Sequence, residues 1–199
     1  TMMSLSAIFL DGYLAALTQY GKNIKVKMTI TELSDRIDRA LARLDSEIQS
    51  QGQKAGLDLV ALVSTRVIQR GETADGGRFS NYSEKPTPAF FYFGKSRNQA
   101  GERAVQKASK DRRPLSYSEF RRVNGLEVSF KNFEFTGALW RGFGVKSVEP
   151  SPEGVTVTIG GMNTDAAQKI QWLSEQEGQS IIQPSPAEID LVKGFLVKW

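Results

Sequence analysis

Between Thr29 and Gln51 the apolar residues Leu33, Ile37, Ala40, Leu41, Leu44 and Ile48 recur at three- and four-residue spacing. That spacing gathers them on one stripe of an α-helix and fits no strand, whose faces alternate every second residue. Arg36, Arg39 and Arg43 lie on the other faces, as do Asp38, Asp45 and Glu47. Thr31 is the expected cap, with Asp35 in the first turn. A second helical run follows from about Ala55 to Gln69, through Leu57, Val60, Ala61, Val63 and Val67, and stops at Gly71. Gly52 and Gly56 mark a break or bend between the runs. The two read either as one long bent helix or as a helical hairpin.

Residues 1–28, with Tyr13-Leu14-Ala15-Ala16-Leu17 and the alternating Ile24-Lys25-Val26-Lys27-Met28, read as an N-terminal arm. The remainder, 29–199, reads as a single α+β domain. Residues 71–98 form a long loop punctuated by Gly71, Gly76, Gly77, Pro86, Pro88 and Gly94. A charged, helix-permissive stretch over 98–113 ends at Pro114. Ser116 is placed to cap a short helix from about Tyr117 to Val123, with Asn124-Gly125 as its stop. From Leu126 the pattern changes, and Val128, Phe130, Phe133 and Phe135 lead into Thr136-Gly137-Ala138-Leu139-Trp140. Next come Phe143–Val148, a Pro-Ser-Pro-Glu-Gly turn at 150–154, and Val155–Ile159, which together predict an antiparallel β-hairpin. Thr164 is the expected cap of a helix over about Asp165–Glu177, closed by Gly178. Pro186 stands near the start of a last helix, with a strand as the alternative. The expected architecture is α+β: a long N-terminal helix or helical hairpin on a small antiparallel sheet, with long loops and an N-terminal arm.

Composition removes whole reaction classes. The 199 residues include no Cys and no His. Thiol nucleophiles, disulfides and the usual structural zinc sites are therefore excluded, and so is imidazole acid–base catalysis. An enzyme would need carboxylates, Lys, Arg, Ser or Tyr, or a hard cation held by oxygen ligands. The net charge of +4 and pI near 9.3 are too mild to identify a nucleic-acid binder on their own. The apolar start, Met2 to Leu10, lacks the basic flank of a secretion signal, and Asp11-Gly12 interrupts it short of a membrane span. An intracellular protein away from the membrane is expected.

Motifs with chemical meaning are few. Asp58, Glu72, Asp75 and Glu84 could gather around Mg²⁺ or Ca²⁺, yet Asp75-Gly76-Gly77 lacks EF-hand spacing and reads better as a tight turn. Gly71–Gly77 lacks the Lys-Ser/Thr of a P-loop, and Gly142-Phe143-Gly144 fails the dinucleotide fingerprint. No carboxylate pair is singled out as acid and base. No metal, cofactor or catalytic residue is therefore expected. Two surfaces remain. The loop aromatics Phe79, Tyr82, Phe90, Phe91, Tyr92 and Phe93 either pack into the chain's own core or seat in an adjoining subunit. The basic stretch from Lys95 to Arg122 is a solvated face, a protein-contact surface or a nucleic-acid surface. Arg112, Arg113, Arg121 and Arg122 are its contact candidates. Trp140, Trp172 and Trp199 read as core or edge packing.

The order of these signals is similar to that of the tail-completion and virion-morphogenesis proteins of tailed bacteriophages. The likeness rests on the helix ending in Arg66–Gly71, on Glu72-Thr73-Ala74-Asp75-Gly76-Gly77-Arg78-Phe79-Ser80-Asn81-Tyr82-Ser83, and on Phe135-Thr136-Gly137-Ala138-Leu139-Trp140 before a hairpin. The helix ending in Gly178 and the Ile181-Ile182-Gln183-Pro184-Ser185-Pro186-Ala187-Glu188 segment complete it. The last segment lacks the Arg and Phe of the family's Ile-Pro-x-Arg-x-Phe. The resemblance covers about residues 30–199. It implies a ring-forming α+β subunit of the neck between head and tail, with no catalytic residues. It also implies a virion location after assembly in the host cytoplasm, and partners that are further copies and other neck, portal or tail proteins. Transient DNA contact is compatible with it. The alternative is a nucleic-acid-binding module using residues 95–122. A carboxylate-metal nuclease built on Asp75 is the third reading.

Overall fold

Thr29 and Glu32 cap the first helix reciprocally. The Glu32 carboxylate accepts from the Thr29 amide at 2.8 Å, and the Thr29 hydroxyl oxygen accepts from the Glu32 amide at 3.2 Å. This Thr-x-x-Glu box satisfies two orphan donors at once, which is why the helix is capped by Thr29 and not by the expected Thr31. The structure is a computed structural model that describes residues 29–151 and 154–196; the arm assigned to 1–28, the tip of the hairpin turn and Trp199 lie outside the described residues. The chain divides into two compact units, Thr1–Ala42 and Arg43–Trp199.

Helix α1, Ile30–Arg70, runs unbroken for 41 residues, so the helical hairpin is ruled out. Gly52 and Gly56 do not break it. They give the hairpin room to approach. A Cβ added at Gly56 would lie 2.7 Å from Val145 Cγ2 and 2.8 Å from Val157 Cγ1, and one at Gly52 would lie 2.6 Å from Val148 Cγ1. Gly71 ends the helix at φ 63°, donating its amide to the Val67 carbonyl at 3.1 Å. Phe130 packs where a Gly71 side chain would stand, so both backbone and space require glycine there.

Strands β1, Phe143–Ser151, and β2, Gly154–Gly161, pair antiparallel. Val145 faces Ile159 and Val148 faces Val157, with a register shift between Val145 and Ser147. Val145 and Val148 are an odd number apart and would point to opposite faces of a regular strand. The bulge restores them to one face, where both meet α1.

Around this seam, Val63, Val67, Phe79, Leu139, Phe143, Ile170 and Ile181 form one buried cluster. A second comprises Ala89, Tyr92, Val105, Ala108, Leu115 and Phe120. It lies between a 3₁₀ turn at Ala89–Tyr92, helix α2, Gln99–Lys110, and helix α3, Tyr117–Val123. Ser116 caps α3 as expected, in a capping box with Glu119. Residues 126–137 form no strand despite their apolar content. Glu127 Oε1 accepts the Val128 and Ser129 amides, and Asn132 Oδ1 accepts the Glu134 amide, which takes these donors out of any ladder. A single helical turn, α4, Ala138–Arg141, precedes β1. Helix α5, Thr164–Glu177, starts one residue earlier than expected because Asn163, not Thr164, accepts the Ala166 amide at 2.8 Å. The tail is helical, α6, Pro186–Leu196, which decides against the strand. The expected α+β architecture, a long helix with a small antiparallel sheet and long loops, is the one observed.

Candidate functional site

Helix α3 buries Arg121 along with Ser118, Phe120 and, at its C-terminal end, Asn124. Its guanidinium is fully buried and lies 3.9 Å above the Tyr82 ring. Nε donates to the Glu127 carbonyl at 3.0 Å, and Nη2 donates to Asn132 Oδ1 at 3.0 Å. The Tyr82 hydroxyl donates to the same Asn132 oxygen at 3.0 Å and accepts the Asn132 amide at 3.2 Å. The Asn132 carbonyl accepts from Trp140 Nε1 at 3.1 Å. Burial pushes the Tyr82 phenol above its ordinary value against the pull of Arg121, which keeps it a donor. Three segments distant in sequence are thus pinned at one polar node. Nothing in the sequence marks Asn132 as its centre.

Beside the node is a cavity of about 360 Å³, lined by the apolar and aromatic Tyr82, Tyr117, Phe133, Phe135, Trp172 and Leu173 and by the polar Ser83, Arg121, Lys131 and Gln176. Lys131 Nζ donates to Glu177 at 2.6 Å and to the Ser80 hydroxyl at 2.7 Å. Burial pushes the Glu177 carboxyl up, but the bonds from Lys131 and Ser80 outweigh it and hold the group below its ordinary value. Both cations at the cavity are engaged by the chain itself. Trp172 is more than half exposed, whereas Trp140 packs partly buried against the core.

The structure separates the loop aromatics. Phe79, Tyr82 and Tyr92 are buried in the chain's own core, so these three are withdrawn from the subunit-interface set. Phe79 meets Phe133 edge to face, and Tyr92 stacks on Phe120 at 4.4 Å. Phe90, Phe91 and Phe93 are each about half exposed, and the first two stack on each other at 4.5 Å.

The arginines divide likewise. Arg121 is structural and leaves the contact set, while Arg112 and Arg122 are not buried. Arg113 is exposed and ion-paired with Glu119 at 2.9 Å. Among the described residues, Arg103, Lys107 and Lys110 stand at helical spacing on the outer face of α2 with no ion pair.

The acidic residues do not converge. Asp75 accepts from the Thr73 hydroxyl and from the Gly77 amide at 3.3 Å, closing the tight turn, and its carboxyl is held below its ordinary value chiefly by Thr73. Glu72 lies 3.6 Å from Arg70, and Glu84 accepts from the Ser116 hydroxyl at 3.2 Å. Among the described residues no group of His, Cys, Asp or Glu is arranged to hold a metal ion.

A second buried ion pair escaped the sequence reading. Arg66 Nε donates to Glu188 at 2.8 Å, and its other nitrogens donate to the carbonyls of Glu72 at 2.6 Å and Gln183 at 2.7 Å. Glu188 also accepts the Ser185 amide at 2.7 Å, capping α6. The Ser185-x-x-Glu188 box was a readable signal, as was an arginine set among Val63 and Val67.

No protein-family model, curated protein or solved structure matches this chain.

Proposed function

We propose that this chain is a structural subunit of the neck or tail-completion ring of a tailed bacteriophage, acting by oligomeric assembly and by no reaction. The observation that carries the proposal is the exposure of Phe90 and Phe91 in a 3₁₀ turn whose other two residues, Ala89 and Tyr92, are buried, and of Phe93 just after it. Aromatic side chains are concentrated at the centres of protein interfaces, and three clustered in solvent fit a surface covered in a larger assembly. The sequence resemblance, the α+β architecture and the lack of Cys and His all favour the same reading. A closed ring uses heterologous contacts, in which one face of each copy complements a different face of the next. Partners are further copies and neighbouring neck, portal or tail proteins, in a virion assembled in the host cytoplasm.

Native mass measurement and electron microscopy of the full chain test this. A single closed ring stoichiometry is expected, lost in Phe90→Ser/Phe91→Ser with the fold retained. A strict monomer at high concentration, with residues 71–98 resistant to protease, would overturn it.

The row of Arg103, Lys107 and Lys110 on α2 favours the second reading, a nucleic-acid-binding module. DNA affinity falling steeply with salt, and abolished by substituting Arg112, Arg113 and Arg122 together with that row, would support it over the ring.

A further inference from the structure

Arg121 carries a charge that its own chain does not neutralise. Its side chain is fully buried, yet among the described residues it makes no ion pair. A buried cation without a counter-charge is costly. Nε and Nη2 donate to the Glu127 carbonyl and to Asn132, both neutral acceptors, and the guanidinium rests on the Tyr82 ring. The Glu127 carboxylate feels this charge, but it is exposed and already accepts the Val128 and Ser129 amides. Lys131, the other cation lining the cavity, is matched by Glu177 at 2.6 Å. One positive charge is therefore left over. One nitrogen is left over as well: among the described residues Nη1 has no hydrogen-bond partner. Nor is it sealed in, because the one buried side-chain atom without a partner among those residues is the Ser96 hydroxyl oxygen.

We infer that the cavity takes a small aromatic carboxylate, its carboxylate on Arg121 Nη1 and its ring against Tyr117, Phe133, Phe135 and Trp172. The cavity volume of about 360 Å³ falls within the roughly 300–1,000 Å³ of small-molecule sites. Such sites combine a mostly aromatic and apolar lining with a few polar groups that fix orientation, and this lining has that make-up. Its buried members are Tyr82 and Arg121, and its exposed ones include Trp172 and Gln176. A ligand can therefore enter from solvent and still meet a desolvated charge, where a charge-assisted hydrogen bond is strong. The excess of one charge selects a monoanion. A phosphate ester's second charge would go unmatched, since Lys131 is already paired with Glu177. Ligand binding here goes beyond the assembly reading and does not depend on it.

An NMR titration of the full chain, followed at the tryptophan indole N–H signals, tests this with cinnamate and its neutral near-isostere cinnamamide. Cinnamate is expected to bind with a millimolar or lower Kd and to shift the Trp172 signal, which Trp172→Phe assigns. Cinnamamide should bind roughly tenfold more weakly or worse, because a hydrogen bond to a charged partner is the stronger kind. Phenyl phosphate should bind no tighter than cinnamate. Arg121→Met should remove the preference for cinnamate over cinnamamide; where that variant does not fold, the ligand pair in the parent chain still decides. Equal affinity for cinnamate and cinnamamide in the parent would overturn the inference, as would tighter binding of phenyl phosphate. Binding that leaves the Trp172 signal unmoved would place the ligand elsewhere and overturn it too, and so would no binding at millimolar concentration.

Discussion

Gly56→Ala is expected to destabilise this protein, although alanine is the better helix former. The helical term favours the variant by about 1 kcal/mol. Against it stands the seam with the hairpin. The new methyl would sit 2.7 Å from Val145 Cγ2 and 2.8 Å from Val157 Cγ1, well inside the roughly 3.5–4.0 Å of a comfortable carbon–carbon contact. The two valines come from paired strands, so neither can retreat without moving the other. Overpacking of this kind costs about 1–3 kcal/mol. The net loss is then up to about 2 kcal/mol. Gly194 supplies the control: it also lies in a helix, but a Cβ there meets nothing within 4 Å. Gly194→Ala should stabilise by a few tenths to about 1 kcal/mol. Urea unfolding of both variants, at one protein concentration and with equal slopes, measures the contrast. In a double-mutant cycle, Val157→Ala should be less costly in the Gly56→Ala background than in the parent. Two glycine substitutions that stabilise alike would refute the close seating of α1 on the hairpin.

Other consequences can be read by the same unfolding assay. Arg121→Lys loses the forked contacts to Glu127 and Asn132 while leaving a buried charge, and should cost about 3 kcal/mol; Arg122→Ala, outside the core, should stay within about 0.5 kcal/mol. Similar values for the two would mean Arg121 is not buried as described. Arg112 holds a left-handed backbone at φ 52° just past α2, so Arg112→Gly should gain about 0.5–1 kcal/mol, and a loss would refute the strain. The Glu177 carboxyl lies below its ordinary value when folded, so its contribution is present above its unfolded value of about 4.3 and is lost as pH falls through the lower folded value. Glu177→Gln should therefore narrow its stability deficit against the parent below about pH 4; a gap independent of pH would refute that account.

The elements were legible wherever local chemistry decides them. Ser116 with Glu119, Gly71, Gly178 and the hairpin strands all act within a few residues of their own position. The misplaced starts have the same local cause. Thr29 outcompetes Thr31 because only Thr29 has a glutamate three residues on, and Asn163 precedes Thr164 with an equally good acceptor. The reading of Gly52 and Gly56 as a break failed for a different reason. Glycine weakens an isolated helix, and only the partner strands reveal that the missing side chain is a seat. The irregular path of 126–137 was hidden likewise, since Glu127 and Asn132 claim backbone donors that a hydrophobic pattern assigns to a ladder.

The candidate surface was legible as a composition but not as a partition, and the backbone supplies the partition. In a 3₁₀ turn, residues three apart share a face. Once Pro88 opens such a turn at Ala89, Ala89 and Tyr92 must point one way and Phe90 and Phe91 the other. Burial of the first pair against Phe120 and Val105 then leaves the second pair in solvent. The arginines follow the same logic on a different period. On α3, Phe120 and Arg121 face the core and Arg122 does not, so adjacent residues of identical chemistry become a structural pin and a free charge. A run of like side chains therefore names a surface only after the local helix type sorts it. Here the sorting leaves Phe90, Phe91 and Phe93 exposed around the 3₁₀ turn and Arg122 exposed on α3.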